Sequence, residues 1–119
     1  MISFVTTSFA ASPADKLYKR LEKIQEKGYM FGHQDDPFYG ITWRWDNNRS
    51  DVLELVGEYP AVMGFELGGI EMADAKNLDS VPFQRIHDEI INQYNRGGII
   101  TISWHPRNPL TGGTAWDVT

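Results

Sequence analysis

Ile99, Ile100, Thr101 and Ile102 form an unbroken β-branched run that follows a Gly97–Gly98 stop and ends at Ser103, Trp104 and His105. Four such residues in succession favour extended backbone, and a run with no polar face predicts a strand covered on both sides, as in helix-covered parallel sheets. The exit from that run changes character at once. Trp104, His105, Arg107 and Asn108 follow, with Pro106 and Pro109 fixing the chain as it leaves the sheet. A buried strand that opens into an indole, an imidazole and an amide is how α/β enzymes present binding groups at strand carboxyl ends.

The same pattern precedes it twice. Tyr29, Met30 and Phe31 are a short apolar run leading to Gly32, His33, Gln34, Asp35 and Asp36. Ala61, Val62, Met63, Gly64 and Phe65 form a second, ending at Glu66 with Glu71 in the loop beyond. Helical stretches alternate with these strands. Ser12-Pro13-Ala14-Asp15 has a capping residue, a first-turn proline and an acid at the third position, followed by Leu17, Leu21 and Ile24 and a possible closing Gly28. Ser50 or Asp51 opens a short helix with Val52, Leu53 and Val56 inward, closed by Gly57. A longer helix begins near residues 80–82, with Phe83, Ile86, Ile90 and Tyr94 on its apolar side. Strand and helix in alternation predict parallel strands joined by right-handed crossovers. Residues 1–11 read as a loosely held arm, and 12–119 as a single partial domain of three βα units. Three strands and a trailing loop describe an incomplete barrel.

Composition narrows the partners. A net charge of −5 over 119 residues disfavours nucleic acid or an anionic membrane surface, since phosphate backbones need a basic face. With no cysteine, disulfides and thiolate metal sites are excluded. The opening residues lack a basic start and a clean apolar core, so no signal peptide is expected within this chain, and no run reaches membrane-spanning length.

Several residues carry two readings. His33 and Asp35 form an H-x-D pair which, with Glu66 and His105, could ligate a divalent metal, or could simply fix loop backbone. No H-x-H or H-x-x-x-H spacing supports the metal. Glu66 and Glu71 are the available carboxylates for an acid–base pair, although barrel enzymes draw such pairs from different strand ends. Four tryptophans in this length are heavy use. Trp43, Trp45, Trp104 and Trp116 either stack on sugar faces in a cleft or fill core. His105, past a strand end, is the better functional candidate; His87, mid-helix, reads as solvated or locally satisfied.

FGHQDD at 31–36, YGITW at 39–43, RSDV at 49–52, EYPAVMGFELGGIE at 58–71 and GGIITISWHPRNPLTGGTAWD at 97–117 together resemble the amino-terminal part of glycoside hydrolase family 26. The resemblance implies a (β/α)8 TIM barrel and retaining hydrolysis of internal β-1,4-mannosidic bonds in mannan. It implies no cofactor, and places the acid/base and nucleophile glutamates on strands four and seven, beyond this chain. By the same resemblance His105 lines the subsite of the cleaved mannosyl unit, and Trp116 and Asn108 shape it. Glu71 falls in a substrate-contacting acidic stretch. The expected setting is extracytoplasmic, the expected partner β-mannan or a manno-oligosaccharide. The chain alone is expected to be inactive and to self-associate through exposed strand edges. A metal-dependent barrel hydrolase and a non-catalytic carbohydrate-binding fragment are the alternatives.

Overall fold

The computed structural model describes residues 11–118. The chain divides into two compact units, Met1–Met30 and Phe31–Thr119. The arm expected over residues 1–11 lies, but for residue 11, outside the described residues.

In the first unit, helix α1 (Pro13–Gln25) starts as its sequence dictates. Ser12 Oγ accepts from the Asp15 amide at 3.1 Å, and the Asp15 carboxylate accepts from the Ser12 amide at 2.9 Å. Two donors that a helix start leaves unpaired are thus satisfied reciprocally. The helix ends at Glu26, not at Gly28, and none of its residues is buried.

The second unit runs β1 (Gly32–Gln34), β2 (Tyr39–Gly40), β3 (Trp43–Arg44), α2 (Asp51–Val56), β4 (Val62–Glu66), a 3₁₀ turn (Ile70–Met72), α3 (Phe83–Asn95) and β5 (Ile99–Ser103). Strands β1, β4 and β5 make one parallel sheet in the order β1-β4-β5, and β2-β3 is a separate antiparallel hairpin. Ser50 Oγ caps α2 by accepting from the Leu53 amide, and Gly57 closes it at φ 82°, where a side chain would be strained.

Register decides which side chains share a face. Gln34, Gly64 and Thr101 are neighbours across the sheet, and Glu66 lies beside Ser103. By strand alternation these five occupy the face opposite Met63 and Phe65. Met63 and Phe65 are fully buried with Phe38, Val81 and Ile86, and Phe38 and Phe65 pack at 5.9 Å between ring centroids. The polar face is held close: a Cβ on Gly64 would run into the Gln34 side chain.

Four expectations are corrected. The first strand is Gly32–Gln34 rather than 29–31, because pairing begins where the Val62 amide donates to the Phe31 carbonyl; Tyr29 is left 96% exposed. Strand β5 is not covered on both sides: it pairs only with β4 among the described residues, and Thr101 and Ile102 are exposed. Val56 in α2 is exposed. On α3 the inward position expected of Tyr94 is taken by Gln93, whose Nε2 donates to the Pro60 carbonyl at 3.0 Å while Tyr94 faces solvent.

Truncating Phe65 empties the centre of this core. Phe65→Ala is expected to cost about 3–5 kcal/mol in urea unfolding, whereas Tyr94→Ala should stay within about 0.5 kcal/mol of the parent.

Candidate functional site

At the carboxyl end of β4, Glu66 is only 3% exposed, yet hydrogen-bond donors surround both its oxygens. Oε1 accepts from the Gly68 amide at 2.6 Å and the His105 amide at 2.9 Å. Oε2 accepts from Ser103 Oγ at 2.6 Å and lies 2.7 Å from His105 Nδ1. Burial pushes this carboxyl up, but the Ser103 hydroxyl, the His105 amide and ring, and the Gly68 amide together hold it below the usual glutamate range. Glu66 is therefore an ionised hub joining β4, β5 and two loops. Its own carbonyl accepts from Asn77 Nδ2 at 3.0 Å, which ties in the loop ahead of α3.

His105 stands beyond β5 with its ring stacked on Trp116, 5.0 Å between centroids and 13° from parallel. Its Nε2 hydrogen-bonds nothing among the described residues. The loop that carries Trp116 is folded by its own polar residues. Asn108 Oδ1 accepts from the amides of Leu110 and Thr111, and its Nδ2 donates to the Asp117 carbonyl. The Asp117 carboxylate accepts from Thr111 Oγ1, Thr114 Oγ1 and the Thr114 amide, and these bonds lower its pKa. Glu71 works the same way from the other side. It accepts from Trp104 Nε1 at 3.0 Å, the Arg107 amide at 2.8 Å and the Gly69 amide at 3.1 Å. Those donors, led by the Trp104 indole, draw the Glu71 carboxyl down to about 2.

Just past β1, Asp35 is 1% exposed and takes φ 52°. Its carboxylate accepts from Gln34 Nε2, Tyr39 Oη and, at 3.4 Å, the Glu66 amide. Burial outweighs these bonds and raises its pKa. Burial and the nearby Asp35 and Asp79 push the Tyr39 hydroxyl up to about 12, so it stays a donor. His33 turns its Nδ1 to Asp36 at 2.7 Å, away from Asp35. The structure therefore does not gather His33, Asp35 and His105 as ligands, and no group of three or more metal-ligating side chains occurs among the described residues. Trp43 is core, with its indole donating to Asp51 at 2.5 Å. Trp45, Trp104 and Trp116 are exposed, and the His87 ring pairs with its neighbour Asp88 on the outside of α3.

Two hollows flank the stacked pair and share Leu78, His105 and Trp116. One, of about 400 Å³, reaches Gln34, Asp35, Tyr39 and Asp79. The other, of about 430 Å³, reaches Asp74, Lys76, Arg107 and Thr114. Their shape and chemistry suit a ligand with flat apolar faces and many hydroxyls. Sequence reasoning passed over Ser103 and Gln34. Ser103 carried a usable signal, since it sits two residues before His105 and so on the same side of extended chain. Arg85 gave none: from α3 its guanidinium donates to the carbonyls of Pro37, Trp45 and Asp46, pinning the loop that holds the hairpin.

Residues 6–119 match the sequence profile of glycosyl hydrolase family 26. The chain is similar to a mannan endo-1,4-beta-mannosidase of Bifidobacterium adolescentis, at 27% identity over 92% of this chain and 11% of that protein. Among solved structures it is similar to a GH26 beta-mannanase from Bacteroides ovatus, with a TM-score of 0.83 and 52% identity over 87% of this chain and 30% of that one. The chain thus spans less than a third of either relative.

The Glu71 contacts have a definite pH signature. A carboxylate whose pKa drops on folding stabilises the fold above its unfolded value, and that stability is lost as pH falls through the folded one. Urea midpoints of the parent and Glu71→Gln should differ most above pH 4.5 and converge as pH falls toward about 2. A gap of constant size across that window would show that the Glu71 charge does not hold the loop.

Proposed function

Because the chain belongs to glycosyl hydrolase family 26, with three βα units of a TIM barrel that does not close among the described residues, we propose that it grips one mannosyl unit for an endo-β-1,4-mannanase. The observation that carries this is the His105–Trp116 pair at the strand ends, an imidazole with a free nitrogen beside an exposed indole face. Trp116 supplies the flat wall for a pyranose ring and His105 a hydrogen bond to a hydroxyl. Asn108 shapes the site by ordering the turn that carries Trp116, and Glu71 by holding Trp104 and the Arg107 amide on either side of His105. Residues 12–119 form one partial domain in this reading.

The reaction served is double-displacement hydrolysis of internal mannosidic bonds, which needs one carboxyl as acid/base and one as nucleophile. Glu66 fits neither role, being ionised and fully engaged by donors. Glu71 is likewise held by three donors. By the family resemblance both catalytic glutamates belong to later strands of the barrel, and in this reading the chain alone binds without cleaving. A polymeric substrate places the work outside the cytoplasm. No helix among the described residues is long and apolar enough to cross a membrane. Exposed Ile102 on the one-sided β5 favours self-association of the isolated chain, which light scattering would register as a mass above that of the monomer.

Calorimetric titration with mannohexaose tests the reading. Trp116→Ala should weaken binding by roughly tenfold or more through loss of the stacking face, and His87→Ala should leave it unchanged. Chromatography of the same mixtures should show intact mannohexaose. Equal affinity in Trp116→Ala would remove the sugar wall, and shortened products that vanish with Glu66→Gln would make Glu66 catalytic.

A further inference from the structure

We infer that Glu66 is a positioning residue that locks His105 in its Nδ1–H tautomer, so that Nε2 faces the cleft as a hydrogen-bond acceptor for a substrate hydroxyl. Donor and acceptor supply decides the tautomer. A neutral imidazole has one N–H and one lone pair, and an ionised carboxylate can only accept. Oε1 of Glu66 already receives two backbone N–H groups, which cannot reverse their role. Oε2 receives the Ser103 hydroxyl at 2.6 Å, far nearer than the Phe65 carbonyl at 3.4 Å that competes for the same proton. Ser103 Oγ in turn accepts from Gln34 Nε2 at 3.2 Å. Every proton in this chain of bonds, from Gln34 on β1 through Ser103 on β5, therefore points toward Glu66. His105 Nδ1, 2.7 Å from Oε2, would oppose lone pair to lone pair unless it carries the proton. The remaining ring nitrogen is then the acceptor. Trp116 fixes the ring plane from the other face, so neither the tautomer nor the orientation is left free.

That sets a requirement on the ligand: the hydroxyl meeting Nε2 must donate, and an ether oxygen there is repelled. The identity of the donor as a sugar hydroxyl rests on the proposed mannan-binding role, whereas the tautomer does not. Gly64 belongs to the same device, since its lack of a side chain is what lets Gln34 reach across β4 to Ser103.

Long-range ¹H–¹⁵N spectra of the full chain labelled at histidine, recorded at pH 8, decide the assignment without any ligand. The expected His105 pattern is a protonated Nδ1 and a bare Nε2. A protonated Nε2, or an averaged pair, would overturn it whether or not any variant folds. Glu66→Gln supplies the converse. Its amide offers an N–H toward Nδ1, so the tautomer should reverse while the Trp116 indole resonance stays in place, and mannohexaose affinity should fall by about tenfold or more. Reversal of the tautomer with unchanged affinity would overturn the acceptor role of Nε2. If both spectra behave as expected and neither protein binds mannohexaose, Glu66 keeps its role and the mannan reading fails. Binding by a parent protein with protonated Nε2 would preserve the mannan reading and end this inference.

Discussion

One buried carboxylate sets the geometry at the ends of the strands. Glu66 collects two amides, a hydroxyl and an imidazole, from β5, from the turn after β4 and from the loop beyond β5. A buried ion is tolerated only when its lone pairs are filled, and among its partners the buried Gly68 amide is a donor that would otherwise be stranded at a cost of about 1–3 kcal/mol. The two sides therefore stabilise each other. Without the carboxylate, the Gly68 turn, the Ser103 hydroxyl and the His105 ring all lose the group that orients them. Asn77, bonded to the Glu66 carbonyl and to the amides of Asp79 and Val81, passes the same constraint to the loop that walls the cleft.

What the chain shows before folding is mainly local and periodic. The capping residues Ser12 and Ser50, the glycine stops at Gly57 and Gly97, strand β4 and the alternation of strand and helix are each written within a few neighbouring residues. The exit of β5 into His105 was equally legible, because apolar β-branched residues give way there to polar ones within two positions. Burial was less so. Periodicity says which face is apolar and not which neighbour covers it, so Ile102, Val56 and Tyr94 looked like core and are exposed. The polarity of Gln93 hid a buried residue whose amide joins the chain at Pro60 to Arg96.

The candidate site divides along the same line. His105 and Trp116 were visible as residues, but their stacking depends on a turn whose order comes from Asn108 and Asp117 acting on backbone. Glu66 and His105 are 39 positions apart in sequence, and no local pattern announces a bond across that separation. Trp43 takes the core one of its two readings. An indole in a polar loop suggested a sugar wall, yet the first turn of α2 brings Asp51 to its N–H and closes it into the interior. Parallel strands place all of these groups at one end of the sheet, which is why Gln34, Asp35, Glu66, Ser103 and His105 can meet at all.

In the proposed role, this strand-end pair holds a sugar. A crystal structure of the chain with a bound manno-oligosaccharide tests it most directly. The expected result is a pyranose ring lying flat on Trp116, with one hydroxyl about 3 Å from His105 Nε2 and the Glu66–Nδ1 contact intact. An ordered sugar seated elsewhere, or a His105 ring turned so that Nε2 meets Glu66, would contradict it.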